Sequence, residues 1–165
     1  MEKMKQEDKE CCPKFESRLW ENKIHNWKKK KFIKETMPTF FHTPFPWIIN
    51  KKMWKMYNLI MSSKAGMPNK KWLILFRDPS AFKTEIYSTC KKQVKNAENV
   101  TISGTFVSRV FDGPYSHVPK FLKKMDEFLA KKGKKAKDYY IHYAYCPKCS
   151  KKYGHNYMIF FAKIK

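Results

Sequence analysis

Two short phrases, "FHTPF" at residues 41–45 and "FDGPY" at residues 111–115, share one pattern: aromatic, two residues, proline, aromatic. They stand 70 residues apart in a chain of 165, and the patterns around them recur in the same order. Upstream of the first, "KFIKETMPTFFHTPFP" has strand composition. Downstream, Ile49, Met53, Met56/Tyr57 and Ile60 repeat at helical spacing, with Gly66 where a C-terminal cap belongs. "KWLILF" and "FKTEIYSTC" then read as a hairpin with Asp78 and Pro79 at its tip. The second half repeats this: "VTISGTFVSRVF" as strand, then Val118, Phe121/Leu122, Met125 and Phe128/Leu129 on one helical face ending at Gly133, then "YYIHYAY" and "NYMIFFAKI" as strands.

A period of this length with consistent element order marks an internal duplication. The expected fold is therefore α+β: duplicated βαββ modules forming an antiparallel sheet with two helices on one face. The pseudo-repeats fall at about 30–92 and 100–165 of a single domain covering 11–165, preceded by a disordered, charged tail over residues 1–10.

Charge narrows the partners. The net charge of +22 favours weak, non-specific attraction to polyanions. Only Arg18, Arg77 and Arg109 among the 36 basic residues are arginine, however, whereas readers of phosphates and base edges lean on the arginine fork. No apolar run is long enough to span a bilayer, and the N-terminus is charged where a secretory leader is greasy, so a cytoplasmic location with no membrane partner is expected.

Five cysteines in a reducing compartment argue for metal, catalysis or burial rather than disulfides. Cys146 and Cys149 form a CxxC pair with an internal proline, and Cys11 and Cys12 form an adjacent pair. Together the four supply the tetrahedral thiolate set of a structural zinc, with free thiols in a tight hairpin as the other reading. Redox use is disfavoured because such a motif normally opens a helix, and this one is read as the turn joining the last two strands.

The run "SGTFVSRVFDGPYSHVPKFLKKMDEFLAKKG" resembles the strand, Gly-Pro-Tyr and helix signature of gyrase-inhibitor-like (GyrI-like) domains, related to the effector-binding domains of multidrug-responsive regulators. The ends "CCPKF" and "CPKCSKKYGHNY" resemble a stand-alone branch often labelled as hydrolases, and the likeness runs from about Cys11 to the C-terminus. It implies two fused βαββ modules with a pocket near the pseudo-twofold axis. Relatives bind hydrophobic, often cationic small molecules against aromatic rings and an acid, and some hydrolyse strained electrophiles. Nothing in the chain resembles the helix-turn-helix of the regulators.

On this reading the pocket wall comprises Phe41, Phe45, Trp47, Trp54, Tyr87, Tyr115 and Tyr143. Glu85, mid-strand among Phe82, Ile86 and Tyr87, is the main candidate to attract a cation or act as general base, its pKa raised by desolvation. Asp112 before Gly-Pro-Tyr is the second catalytic candidate, though turn chemistry and helix capping explain it equally well. Binding and hydrolysis need the same pocket, so both remain open. The alternative from another class is a basic, zinc-stabilised nucleic-acid-binding protein.

Overall fold

Side chains alternate along a strand, and here the alternation separates two apolar sets that face opposite ways. The computed structural model describes residues 12–165; the expected disordered tail and Cys11 lie outside the described residues. The elements are β1 (Lys23–Phe40), β2 (Thr43–Pro44), α1 (Pro46–Ser62), β3 (Ile74–Ser80), β4 (Lys83–Thr89), β5 (Glu98–Asp112), α2 (Val118–Ala130), β6 (Asp138–Tyr143), α3 (Pro147–Tyr153) and β7 (Tyr157–Lys163). The fold is α+β, with β1-α1-β3-β4 and β5-α2-β6-β7 as its two modules.

The sheet is antiparallel throughout, in the order β2-β1-β4-β3-β6-β7-β5, and β5 also pairs with β1. Six strands therefore close into a ring with twofold order. Each module contributes one three-strand ladder, and the β1·β5 and β3·β6 pairings join them. The first joint is long, running from Lys23↔Ser108 to Lys34↔Glu98, whereas the second is just Leu75↔His142 and Phe76↔Ile141. Closure leaves few unpaired backbone edges.

Phe32, Leu75, Tyr87, Phe106, Tyr140, Ile159 and Phe161 fill the inside of the ring. Their strand neighbours point outward. Ile33, Met37 and Ile86 pack under Met56 and Ile60 of α1. Val107, Met158 and Phe160 pack under Phe121, Met125 and Leu129 of α2. The helical spacing read from sequence thus marks the buried face of each helix.

Four local details depart from the sequence reading. First, β1 begins well before residue 30, because a register shift between Trp27 and Lys30, with Lys29 at φ +49, keeps the strand paired to β5. Opposite it Gly104 has φ +146, and a Cβ there would sit 2.5 Å from the Lys165 carbonyl oxygen. Second, α1 is capped by Lys64 at φ +52 rather than by Gly66, the Ala65 N–H returning to the Ile60 carbonyl. Third, the β3–β4 hairpin turns at Ala81–Phe82, and Asp78-Pro79 lies within β3 where the register shifts.

Fourth, the CxxC stretch is not a plain turn between strands. It opens α3: Cys146 is the N-cap, its sulfur accepting from the Cys149 N–H at 3.5 Å, Pro147 starts the helix, and Gly154 at φ +69 ends it. The CxxC pair thus opens a helix, the setting in which redox pairs are found, contrary to the expectation of a plain turn.

The β3·β6 joint also carries a pH sensitivity. His142 Nδ1 lies 3.1 Å from the Ile74 N–H and 3.0 Å from the Ile74 carbonyl. Burial pushes its pKa down to about 4, so the unfolded chain takes up this proton first as pH falls. The stability that the neutral ring contributes above pH ~6.5 should be lost towards pH ~4, by at most ~1.4 kcal/mol per pH unit. Urea unfolding midpoints across that window measure it. His142→Gln should flatten the upper part of the slope, leaving the contribution of His25, which burial and then Lys30 also depress; at the acid end Glu85 and Glu35, both held down by their donors, add their own loss.

Candidate active site

On β4 the alternation turns Ile86 out towards α1 and Glu85 and Tyr87 into the ring. Glu85 is 6% exposed, and a buried carboxylate persists only when its charge is matched. Three donors do this. The Tyr87 hydroxyl donates to Glu85 Oε2 at 2.5 Å, Arg77 Nη1 donates to the same oxygen at 3.0 Å, and Lys34 Nζ lies 3.2 Å from Oε1. Arg77 Nε reaches on to Asp138 Oδ2 at 2.6 Å, so one guanidinium clamps β4 to β6 across β3 and braces the short seam between modules.

These donors decide the protonation state. Burial by itself would raise the Glu85 pKa, as the sequence reading anticipated. The hydrogen bonds from Tyr87, Arg77 and Lys34 outweigh it and hold the carboxyl below its ordinary range. Burial first, and then the bond to Glu85, push the Tyr87 phenol up; burial also raises Tyr140. At neutral pH the cluster is a carboxylate among protonated phenols and cations.

The cluster opens on a cavity of about 200 Å³ lined by Lys34, Tyr87, Val100, Thr101, Ile102, Ser103, Tyr140 and Lys163. Glu85 lies directly behind this wall, bonded to two of its members. A larger depression of about 410 Å³ between α2 and β5 is lined by Arg109, Phe111 and Phe128, among others. Its one carboxylate, Glu127, is exposed, and Arg109 is already committed to Glu21 at 3.0 Å. It offers no poised group.

The other expected site residues lie elsewhere. Asp112 is exposed at the end of β5, where its carboxylate accepts from the Asn156 N–H at 2.8 Å and pairs with His155 Nδ1 at 2.6 Å. Those bonds fasten the loop before β7 and involve no member of the Glu85 cluster. Of the expected aromatic wall, Tyr87 lines the cavity. Tyr115 and Tyr143 meet edge to face at 5.3 Å, Phe45 contacts Trp47 at 5.3 Å, and Phe41, Trp47 and Trp54 are largely exposed.

Arg77, Lys34, Asp138 and Tyr140 were not anticipated. One signal was present: arginine is so scarce here that each one is informative. All three form ion pairs with carboxylates, Arg18 with Glu16, Arg109 with Glu21, and Arg77 with Glu85 and Asp138.

At the start of α3 the sulfurs of Cys12, Cys146 and Cys149 lie within 4.8 Å of one another, close enough to hold a metal ion. The N-terminal segment reaches this point by crossing β7: Phe15 N–H donates to the Tyr145 hydroxyl at 3.0 Å, and its ring contacts Tyr157 at 4.9 Å. Cys146 N–H points at Cys12 Sγ at 3.4 Å. Burial, above all, pushes the Cys12 thiol above its ordinary range, and a metal ion would replace its proton.

Comparison with known proteins agrees with this architecture. The family model described as "Bacterial hydrolase" matches residues 2–164. No curated protein matches the sequence. Two solved structures from Listeria innocua share the fold. An uncharacterized conserved protein superposes with a TM-score of 0.63 at 10% identity, and a hydrolase with a TM-score of 0.61 at 11% identity. In both cases the match covers 88% of this chain and 92% of the other.

Proposed function

The chain belongs to the bacterial hydrolase family, and on that premise we propose that it binds a small hydrophobic electrophile in the 200 Å³ cavity and hydrolyses it with Glu85 as the base. The observation that carries this reading is a buried carboxylate kept ionised behind a cavity wall by Tyr87, Arg77 and Lys34. In the proposed step a water attacks the electrophilic carbon. Its proton passes to the Tyr87 oxygen as the Tyr87 proton passes to Glu85, a C–O bond forms, and the bond to the leaving group breaks. The leaving group is received by Lys34 and the Tyr140 hydroxyl and takes up the proton that Glu85 gives back through Tyr87, which returns the carboxylate to its starting state.

A carboxylate held below its ordinary pKa is a weak base, so it suits a substrate that is already strained or activated rather than an ordinary amide. Two cations already match Glu85, and Lys163 stands nearby, which favours an uncharged hydrophobic ligand over a cationic one. The duplicated βαββ order and the Gly-Pro-Tyr joint support the finer likeness to GyrI-like domains. The test is turnover of epoxide and activated-ester probes by wild type and Glu85→Gln. No turnover by the wild type of any such probe would remove the hydrolytic reading.

We infer that the metal for the cysteine cluster is zinc, since an all-thiolate set selects a soft, tetrahedral ion, with Cys11 as the fourth ligand expected from sequence. Protein purified without chelator should carry about one zinc per chain by elemental analysis. Cys149→Ser should release most of it and lower the melting temperature. Wild-type protein free of zinc would sink the assignment.

A further inference from the structure

The two modules bury equivalent helix faces, but their outer faces differ. On α2 that face carries Lys120, Lys123, Lys124 and Glu127, all exposed, the ordinary surface of an amphipathic helix. On α1 the outer face carries Trp47, Trp54, Tyr57 and Met61, exposed by 69%, 64%, 46% and 48%. Their spacing makes a second apolar stripe along the helix, flanking the buried one, with Tyr57 at the shared edge stacked on Trp72 at 6.0 Å. Phe40, Phe41 and Phe82, at the turns next to α1, are exposed by 61%, 64% and 56% and touch one another at ring separations of 4.7, 5.3 and 6.5 Å. Since the fold tolerates a charged helix surface in the same pseudo-symmetric place, packing does not require this one to be aromatic. So large an exposed apolar surface marks an interaction site.

Charge identifies the occupant. Between Phe40 and Lys83 the chain has eight basic residues and one acid, Asp78, whose carboxylate is taken by His42 and Thr84; Arg77 is committed to Glu85 and Asp138, and Lys52 and Lys55 to Glu35, which leaves Lys51, Lys64, Lys70, Lys71 and Lys83 to face a partner. Lys51 lies on the stripe between the two tryptophans, and Lys83 follows Phe82; both are exposed. A second copy of this chain is disfavoured because both partners would carry +22. Nucleic acid is disfavoured because sequential base stacking uses aromatics set in a charged groove, whereas these rings stand on an outer helix face and at turn tips, with Met61 among them. Exposed Trp, Tyr and Phe flanked by long lysine stems match an anionic bilayer surface, with rings at headgroup depth and ammonium groups on lipid phosphates.

We propose that α1 and the Phe40/Phe41/Phe82 turns form a peripheral docking surface for anionic membranes, on which the protein lies without spanning. Among the described residues no helix is long and apolar enough to cross a bilayer, so the attachment is interfacial. This departs from the sequence expectation of no membrane partner, which weighed spans and leaders alone. The inference is independent of the hydrolytic reading, since it uses neither Glu85 nor the cavity.

The test is flotation of the full chain with phosphatidylcholine vesicles, with and without phosphatidylglycerol, alongside quenching of tryptophan fluorescence by bromine-labelled acyl chains. The wild type should float with the anionic vesicles and be quenched. Trp47→Ala combined with Trp54→Ala should weaken binding by about tenfold or more. Lys123→Gln combined with Lys124→Gln on α2 should leave it within about twofold. Both pairs are exposed, and unchanged melting temperatures would show that each variant folds. Four results would overturn the proposal: no flotation at low salt; no quenching; equal losses from the two variants, which would mean diffuse lysine attraction; or loss of RNA binding in the tryptophan variant with vesicle binding intact.

Discussion

Glu85→Gln is expected to reduce hydrolysis of an activated probe by about 10²- to 10⁴-fold while leaving the ring folded, because the amide keeps the shape of the carboxylate but cannot take a proton. Tyr87→Phe should lose a comparable amount if the proton passes through the phenol, and it leaves Glu85 its bonds to Arg77 and Lys34. The pH profile gives an independent readout. With Glu85 held ionised below its ordinary range, wild-type activity should stay flat through mildly acidic pH and fall only below the usual carboxylate titration. Unchanged turnover in Glu85→Gln would remove it from the reaction. A variant that binds a hydrophobic probe like the wild type but turns nothing over would separate catalysis from capture.

The largest stability loss is expected from Phe161→Ala. This ring is fully buried on β7 and makes edge and tilted contacts with Trp20, His25 and Trp27 at 5.9, 5.4 and 5.4 Å, joining the N-terminal segment and β1 to the interior. Truncation removes apolar contact and leaves a cavity that the rigid ring cannot collapse onto, costing about 3–5 kcal/mol. For a chain of this size that lowers the melting temperature by roughly 10 °C. Phe82→Ala, half exposed at a hairpin tip, should change stability by only about 0.5 kcal/mol. A loss at Phe161 no larger than at Phe82 would mean that the interior is not packed as described.

Much of the architecture was legible in the sequence because it is written in periodicity and order. Ile49, Met53, Met56 and Ile60 mark the buried side of α1 whatever the sheet does, and the repeated βαββ order requires two equivalent modules. Closure was not legible, since it depends on β1 pairing with β5, a contact between residues about 70 apart that no local pattern encodes. α3 was hidden by its length: Cys146 as N-cap and Gly154 as terminator are single residues, and a seven-residue helix has no room to repeat. At the site, Glu85 stood out as a mid-strand acid. Its partners come from other strands: Arg77 lies opposite it only once the β3–β4 hairpin is in register, Lys34 arrives when β1 pairs with β4, and Asp138 reaches Arg77 only when the β3·β6 joint closes. The same holds for the protonation state: burial can be guessed from neighbours in sequence, but the donors that reverse its effect cannot.

The closed ring with twofold order also governs how the chain can be made. During synthesis β1, α1, β3 and β4 emerge first and can form their own ladder, but the free edges of β1 and β3 wait for β5 and β6, which are still untranslated. Half of a protein in this state exposes two unpaired strand edges, which are ready sites for pairing with another nascent chain. Joining them late depends on contacts distant in sequence, so folding should be slow for a domain of this size. The Cys12 segment packs on Tyr157 at the start of β7, so the cysteine cluster is complete only when the N-terminal segment has met the last strand, which makes it a natural marker of finished folding.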